Sequence, residues 1–350
     1  MDSFKSKKIG IFSDIHIGHG QDNAMWHESV LDFGKWAADK FENLGINEIA
    51  IPGDIFHNRS EISVKTLDVA KQFFDIFREF SLVISTGNHD CYKKMDSEIH
   101  SLSLLKEWRN ITIVDDAPMI FKTAYDKTVS FIPWATSIDD MPISDIMFAH
   151  LDIVSFYQNG YHLCEKGFQT AELFKKSKYI ISGHFHKRDH REYTEGTILY
   201  SGSPMQFNFG ECQDSRGIHI FDLETETFEF IENEVSPRHK RIRVTEIIDK
   251  KIKATDLKKM IPNNLICLIV DSPITFNVQS ILLSKLQNLG PKYLKVEYEL
   301  PEVDISVDTT VEYTGTDIAK TLVDYIDEID TPHKDELKEY LVGVYKGLAI

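Results

Sequence analysis

Five short turns in this chain each carry residues of the kind that bind divalent cations. In order they are Asp14 with His16, Asp54, Asn88 with His89, His150, and His184 with His186. Asp14 and His16 are two apart, and so are His184 and His186. On an extended segment, each pair would present both side chains to one side. Asp14, His16, Asp54, Asn88, His150, His184 and His186 make seven ligands, too many for one ion and suited to two. At the fourth turn His150 is preferred to its neighbour Asp152. Carboxylate, amide and imidazole without thiolate suit Mn²⁺, Fe²⁺, Zn²⁺ or Mg²⁺ rather than a structural zinc site. Two such ions about 3.5–4 Å apart serve hydrolysis at phosphorus, because they activate water and neutralise developing charge. The leaving oxygen then needs a proton, and His89, beside a ligand, is placed to give it. Asp90 is not needed as a ligand. It is expected to support the site from behind, by a hydrogen bond to His89.

The elements that must hold these turns are legible in the hydrophobic pattern. Lys7–Ser13, Glu48–Pro52 and Leu82–Ser85 read as buried strands. Between them, residues 28–43 and 64–77 place apolar side chains at helical spacing. Strand–helix–strand–helix–strand implies right-handed crossovers and a parallel sheet, whose ligands belong at the strands' C-terminal ends. After residue 100 short strands dominate: 111–114, 119–122, 128–133, 144–149, 178–182, 197–201, 217–223 and 227–231. The expected fold class is α/β, a two-sheet α/β/β/α sandwich over residues 1–236. A smaller α+β domain is expected over 237–305, with strands at 242–248, 265–270 and 293–300 and helices at 255–260 and 276–289. Residues 306–350 read as a helical extension.

With 42% hydrophobic residues the chain can bury a real core, and no apolar run is long enough to cross a membrane. The amino-terminal residues lack the apolar segment of a signal peptide, and the four cysteines are scattered, so a reducing cytoplasm is expected. The formal net charge of −16 argues at first against nucleic acid. It is unevenly spread. Residues 301–350 hold 12 acidic against 4 basic side chains, whereas 237–260 hold 9 basic against 3 acidic.

The series Asp-x-His, Gly-Asp, Gly-Asn-His-Asp, His and Gly-His-x-His, spread over residues 9–186, resembles the calcineurin-like metallophosphoesterase superfamily. The resemblance implies that Asp14, His16, Asp54 and His186 hold one ion. Asn88, His150, His184 and the shared Asp54 would hold the other. His89 would be the unliganded histidine that meets the phosphate. Two features resemble one branch, the SbcD-type DNA double-strand-break repair nucleases. One is Gly53-Asp54-Ile55-Phe56-His57, which stands where protein phosphatases carry Asp-Arg-Gly. The other is the turn Tyr200-Ser201-Gly202-Ser203-Pro204-Met205 with Phe209-Gly210. The compact size is most similar to phage-encoded members, which would place the chain in a host cytoplasm. Membership implies an exo/endonuclease acting on double-stranded DNA ends with two ions, most often Mn²⁺. It also implies a homodimer, an SbcC-type coiled-coil ATPase partner met by the 306–350 extension, and His57 as the residue that positions the DNA strand.

Other readings have less support. A phosphoprotein phosphatase or cyclic-nucleotide phosphodiesterase would share the chemistry but not the Phe-His turn. A non-enzymatic scaffold on this fold would be expected to have lost ligands. His19, His27, His100, His162 and His190 read as surface or loop histidines, and Trp134 as core. Lys187, Arg188 and Arg191 are expected beside the substrate. The run Arg238–Arg243 is either a solvated strand or a contact for the DNA backbone.

Overall fold

The computed structural model describes residues 3–93, 96–158 and 162–299, together with Val323, Ile326, Asp327, Lys334, Asp335 and Lys338. Residues up to 300 form one compact unit and 301–350 another. In the second unit the six described residues are helical, with Lys338 and Asp327 paired at 2.5 Å. The remainder of the expected extension lies outside the described residues.

Two sheets make the body of the first unit. One has six strands, in the order Thr227–Glu232, Gly217–Asp222, Lys8–Ile11, Glu48–Pro52, Ser81–Ser85, Ile111–Val114. Its last four run parallel. The crossovers between the first three of these are the helices Ala24–Asn43 and Val64–Ile76. Each begins at a side-chain cap, Asn23 accepting from the Met25 N–H and Ser63 from the Thr66 N–H. Their apolar stripes, including Val30, Phe33, Phe41, Val69 and Phe73, cover one face of this sheet. The other sheet has seven strands, in the order Ser3–Phe4, Met119–Thr123, Thr128–Phe131, Ser144–His150, Ser177–Gly183, Thr197–Tyr200, Asp189–Glu192. Ile9, Ile11 and Val83 of the first sheet meet Phe131, Phe148 and Ile181 of the second in a buried layer. Burying one such phenylalanine contributes about 1.5–3 kcal/mol, so the strand ends are held rigidly against each other.

The two-sheet sandwich is as expected, and the outer face of its second sheet is thinly covered. Loops do most of the work, and Thr170–Leu173 is its one short helix among the described residues. Tyr200 fixes this layer where it matters. Its hydroxyl donates to the Leu151 carbonyl at 2.6 Å and accepts from the Ile153 N–H at 3.0 Å, tying down the chain just after His150.

The last sandwich strand ends at Glu232, and a three-stranded parallel sheet follows: His239–Arg243, Leu265–Val270, Tyr293–Tyr298. It has its own core around Ile242, Ile266, Leu268 and Leu286. It also packs on the sandwich, Leu265 joining the main core and Lys292 pairing with Glu28 at 3.0 Å. The expected strand 242–248 is corrected here. Arg243 ends the strand and Val244–Ile248 is helical. Glu246 accepts from the Arg243 N–H at 2.9 Å, and Asp271 takes both Thr245 donors, so local capping overrides the β-branched run. The hairpin Cys91–Lys93 with Asp96–His100 had no counterpart in the pattern.

Candidate metal centre

All seven expected ligands come together at the C-terminal ends of strands from both sheets. They do so on bent backbone rather than extended backbone. Asp14, His16, Asp54 and His184 have φ of 55°, 50°, 56° and 92°. Each left-handed residue costs about 1–3 kcal/mol unless the surroundings enforce it. Two glycines make the approach possible. A Cβ on Gly87 would lie 2.3 Å from Asp54 Oδ1, and one on Gly53 would lie 2.6 Å from His150 Nδ1.

Two triads result. Asp14, His16 and His186 form one, and Asp54, His150 and His184 the other, with the ligand atoms of each within 4.8 Å of one another. The paired histidines are therefore not a single clip: His184 goes to the second triad and His186 to the first. Asn88 joins the second triad, its Oδ1 lying 3.0 Å from His150 Nε2. Asp54 lies between them. Its Oδ2 is 3.6 Å from His16 Nε2 and 3.4 Å from His150 Nε2. Asp14, Asp54 and His150 are fully buried. Imidazole nitrogens facing one another, as His16 Nε2 and His186 Nε2 do at 3.0 Å, beside buried carboxylates are a donor set that divalent ions satisfy.

Residues 7–188, just over half of the chain, match the family described as calcineurin-like phosphoesterase. The chain belongs to that family. Among its relatives is "Exonuclease subunit 1" of Enterobacteria phage T4, 28% identical over 247 residues, which are 67% of this chain and 70% of that protein. Another is "DNA double-strand break repair protein Mre11" of Methanocaldococcus jannaschii, 26% identical over 235 residues. That match takes in 60% of this chain and 61% of the archaeal protein. A solved structure titled as a novel archaeal phosphodiesterase is 16% identical over 65% of this chain and 99% of its own, with a TM-score of 0.37. The family's two-ion chemistry and this donor set agree.

The contacts behind the ligands show how this phosphoesterase holds them. Asp90 does not bond His89, as had been expected. Its carboxylate accepts backbone N–H groups from Asp54, Ile55, Phe56 and Gly87 at 2.8–3.2 Å. It thus ties the turn of Asp54 to the turn of Asn88. Burial, with the Asp54 charge close by, lifts the Asp90 carboxyl to about 7 despite those donors. His89 is held by two other contacts: its backbone N–H donates to Asp54 Oδ1 at 2.8 Å, and its ring Nδ1 meets the His57 carbonyl at 2.7 Å. Burial lowers the pKa of His16, His89 and His57, the last to about 4. Burial works the same way on His150, but Asp54 outweighs it and raises that imidazole to about 9.

Three supporting residues escaped sequence reasoning. Asp152, weighed only as a rival ligand, lies 3.0 Å from His184 Nε2 and orients that ring. Glu211 lies 3.6 Å from His186 Nδ1 and is itself gripped by the buried Arg216 at 3.0 Å. Both are carboxylate–histidine supports, and the spacing of His184-x-His186 gave no sign of them. His19 is the third. Its ring is 4.8 Å from that of His57 and 4.7 Å from that of Phe207, so it belongs to the wall of the site rather than to a surface loop.

Further expectations are also corrected. His27 and His100 are buried, the latter paired with Asp115 at 2.8 Å. Trp134 is buried as expected, yet its ring stands 5.7 Å from His150 and 5.3 Å from His184. Arg188 lies over the Phe230 ring, Arg191 pairs with Asp189 at 2.6 Å, and Lys187 stands over the Tyr157 ring. In the basic run, Arg238, Arg241 and Arg243 face Glu232, Glu297 and Glu299. That pattern is an ion-paired strand. No helix among the described residues is long and apolar enough to cross a membrane.

Proposed function

We propose that this phosphoesterase is a two-metal DNA nuclease. The observation that carries the reading is the position of Asp54, buried and within 3.6 Å of a histidine from each triad. Asp14, His16, His186 and Asp54 would hold one divalent ion. Asn88, His150, His184 and the same Asp54 would hold the other. Ions bound there would polarise a phosphoryl oxygen and lower the pKa of an attacking water. The other steps belong to the chain. Asp90 fixes the turn that carries Asp54, while Asp152 and Glu211 fix the rings of His184 and His186. His89 has Nδ1 engaged with the His57 carbonyl and its ring 4.8 Å from that of His16, which leaves Nε2 for the substrate. An anionic phosphate at the centre raises the pKa of that imidazole, so that it can hold a proton and deliver it to the leaving oxygen.

DNA as the substrate is supported by the names of the two relatives and by the Gly-Asp-x-Phe-His turn at 53–57. The phage relative's name also makes it a subunit. We read this chain as a homodimer working with an SbcC-type coiled-coil ATPase on double-stranded ends in a host cytoplasm, as part of DNA recombination and repair. The test is end-labelled duplex DNA with Mn²⁺ or Mg²⁺, with and without such an ATPase and ATP. A phosphoprotein and a cyclic nucleotide run in parallel. Cleavage confined to either of those would refute the nuclease reading. His57→Ala should slow cleavage at duplex ends more than hydrolysis of bis(p-nitrophenyl) phosphate. Equal losses would remove the strand-positioning role.

A further inference from the structure

A second feature opens beside the first triad. A cleft of about 420 Å³ runs between the sandwich and the three-stranded sheet, lined by Trp26, Phe207, Phe209, His239, Tyr293 and Lys295, among others. Its size is that of a small-ligand site. Its walls are flat rings. Trp26 and His239 stack with centroids 6.0 Å apart and planes 25° apart, and Phe209 meets His239 edge-on at 4.7 Å. Phe209 is half-buried, and Tyr293 at the rim is 49% exposed. Lys295 holds its ammonium 4.5 Å from the Phe209 ring centre while pairing with Glu297 at 2.5 Å.

Two observations narrow the occupant. His239 is 2% exposed, and its Nδ1 is buried with no hydrogen-bond partner. With that atom out of a ligand's reach, the ring gives the cleft part of its aromatic wall and no hydrogen-bonding edge. Phe207 is shared with the metal centre, its ring 5.6 Å from that of His16 and 5.4 Å from that of His186. The cleft is thus one ring away from the ligands. An aliphatic side chain would leave the accessible rings of Phe209 and Tyr293 unstacked, and a free phosphate would have no use for them. A nucleobase offers a π-face to stack on them and a strand that leads to a phosphate.

We propose that this cleft receives one unstacked base of the DNA strand whose neighbouring phosphate lies at the centre, a single-strand subsite beside the cutting site. This rests on the nuclease reading above. Stacking on aromatic side chains is worth about 1–3 kcal/mol per base, or about 5- to 150-fold in affinity. Duplex ends would be cut only as far as they fray.

The experiment uses the full chain with Mn²⁺ and a set of single-stranded oligonucleotides, each with an abasic nucleotide at a different position around the cut. One position next to the scissile phosphate should raise KM at least fivefold, with the others near the intact value. Tyr293→Ala should raise KM for the intact oligonucleotide by a similar factor, well beyond any change with bis(p-nitrophenyl) phosphate. It should add little to the loss at the sensitive abasic position. Cleavage with KM indifferent to every abasic position overturns the cleft and leaves the nuclease reading standing. Hydrolysis of the small diester without any cleavage of DNA overturns both.

Discussion

The two ends of the sandwich spend polar groups in opposite ways. At the C-terminal strand ends, buried carboxylates and imidazoles face one another across short distances, on left-handed backbone. At the other end, Glu226 closes the same two sheets with every demand met. Its carboxylate takes Lys178 at 2.7 Å, the Tyr179 hydroxyl at 2.6 Å, and Lys127. These three donors hold it down to about 2. Its own left-handed φ of 57° serves a hairpin turn. One end is saturated and needs nothing more. The other is assembled for something that is not protein.

Removing Asp54 should break the contrast most completely. Asp54→Ala is expected to lose both ions by elemental analysis and to slow hydrolysis at least about 10⁴-fold, since charge stabilisation and nucleophile go together. Two ions retained would show that the triads do not share a ligand. His89→Ala should keep both ions and lose about 10²- to 10⁴-fold in kcat, the weight of a general acid. An unchanged kcat removes that role. Glu211→Gln sharpens the contrast one shell out. It should weaken Mn²⁺ binding by about 10- to 100-fold in a calorimetric titration, and lower the melting temperature too, because the buried Arg216 loses a charged partner.

The smallest effect belongs to the saturated end. Glu226→Gln should leave metal binding alone and lower the melting temperature by about 2–4 °C, roughly 1 kcal/mol for a partly exposed charged cluster. The sign with pH is fixed by the direction of the shift. A carboxyl at about 2 when folded, against 4.5 as the ordinary value, stabilises fully above pH 4.5. That stabilisation drains away as pH falls toward 2. Melting curves of the variant should therefore lose less between pH 5 and 3 than those of the parent chain; parallel curves would mean the cluster contributes nothing.

What could be read in advance follows from how local each signal is. The three parallel strands and their crossover helices were legible because period and caps are local, as at Asn23 and Ser63. That these seven side chains would converge was legible because their residue types recur at five strand ends. The route to them was misjudged: Asp14 and His16 converge through left-handed turns, which a spacing of two cannot disclose. Contacts over long separations were out of reach. Asp152 supports His184 from 32 residues away, and Asp90 holds the Asp54 turn from 36. The ion pairs of Arg238, Arg241 and Arg243 needed the third dimension, because two of their partners, Glu297 on the last strand and Glu299 just past its end, lie more than 50 residues on.

The left-handed backbone at Asp14, His16, Asp54 and His184 has a consequence for laboratory evolution. At each of these positions glycine would adopt the same φ without strain and would withdraw a polar side chain from a crowded interior. Variants of this chain sorted on heat resistance alone would therefore drift toward glycine there, gaining stability while losing the centre. Only a selection that also demands phosphate cleavage would keep the four residues in place.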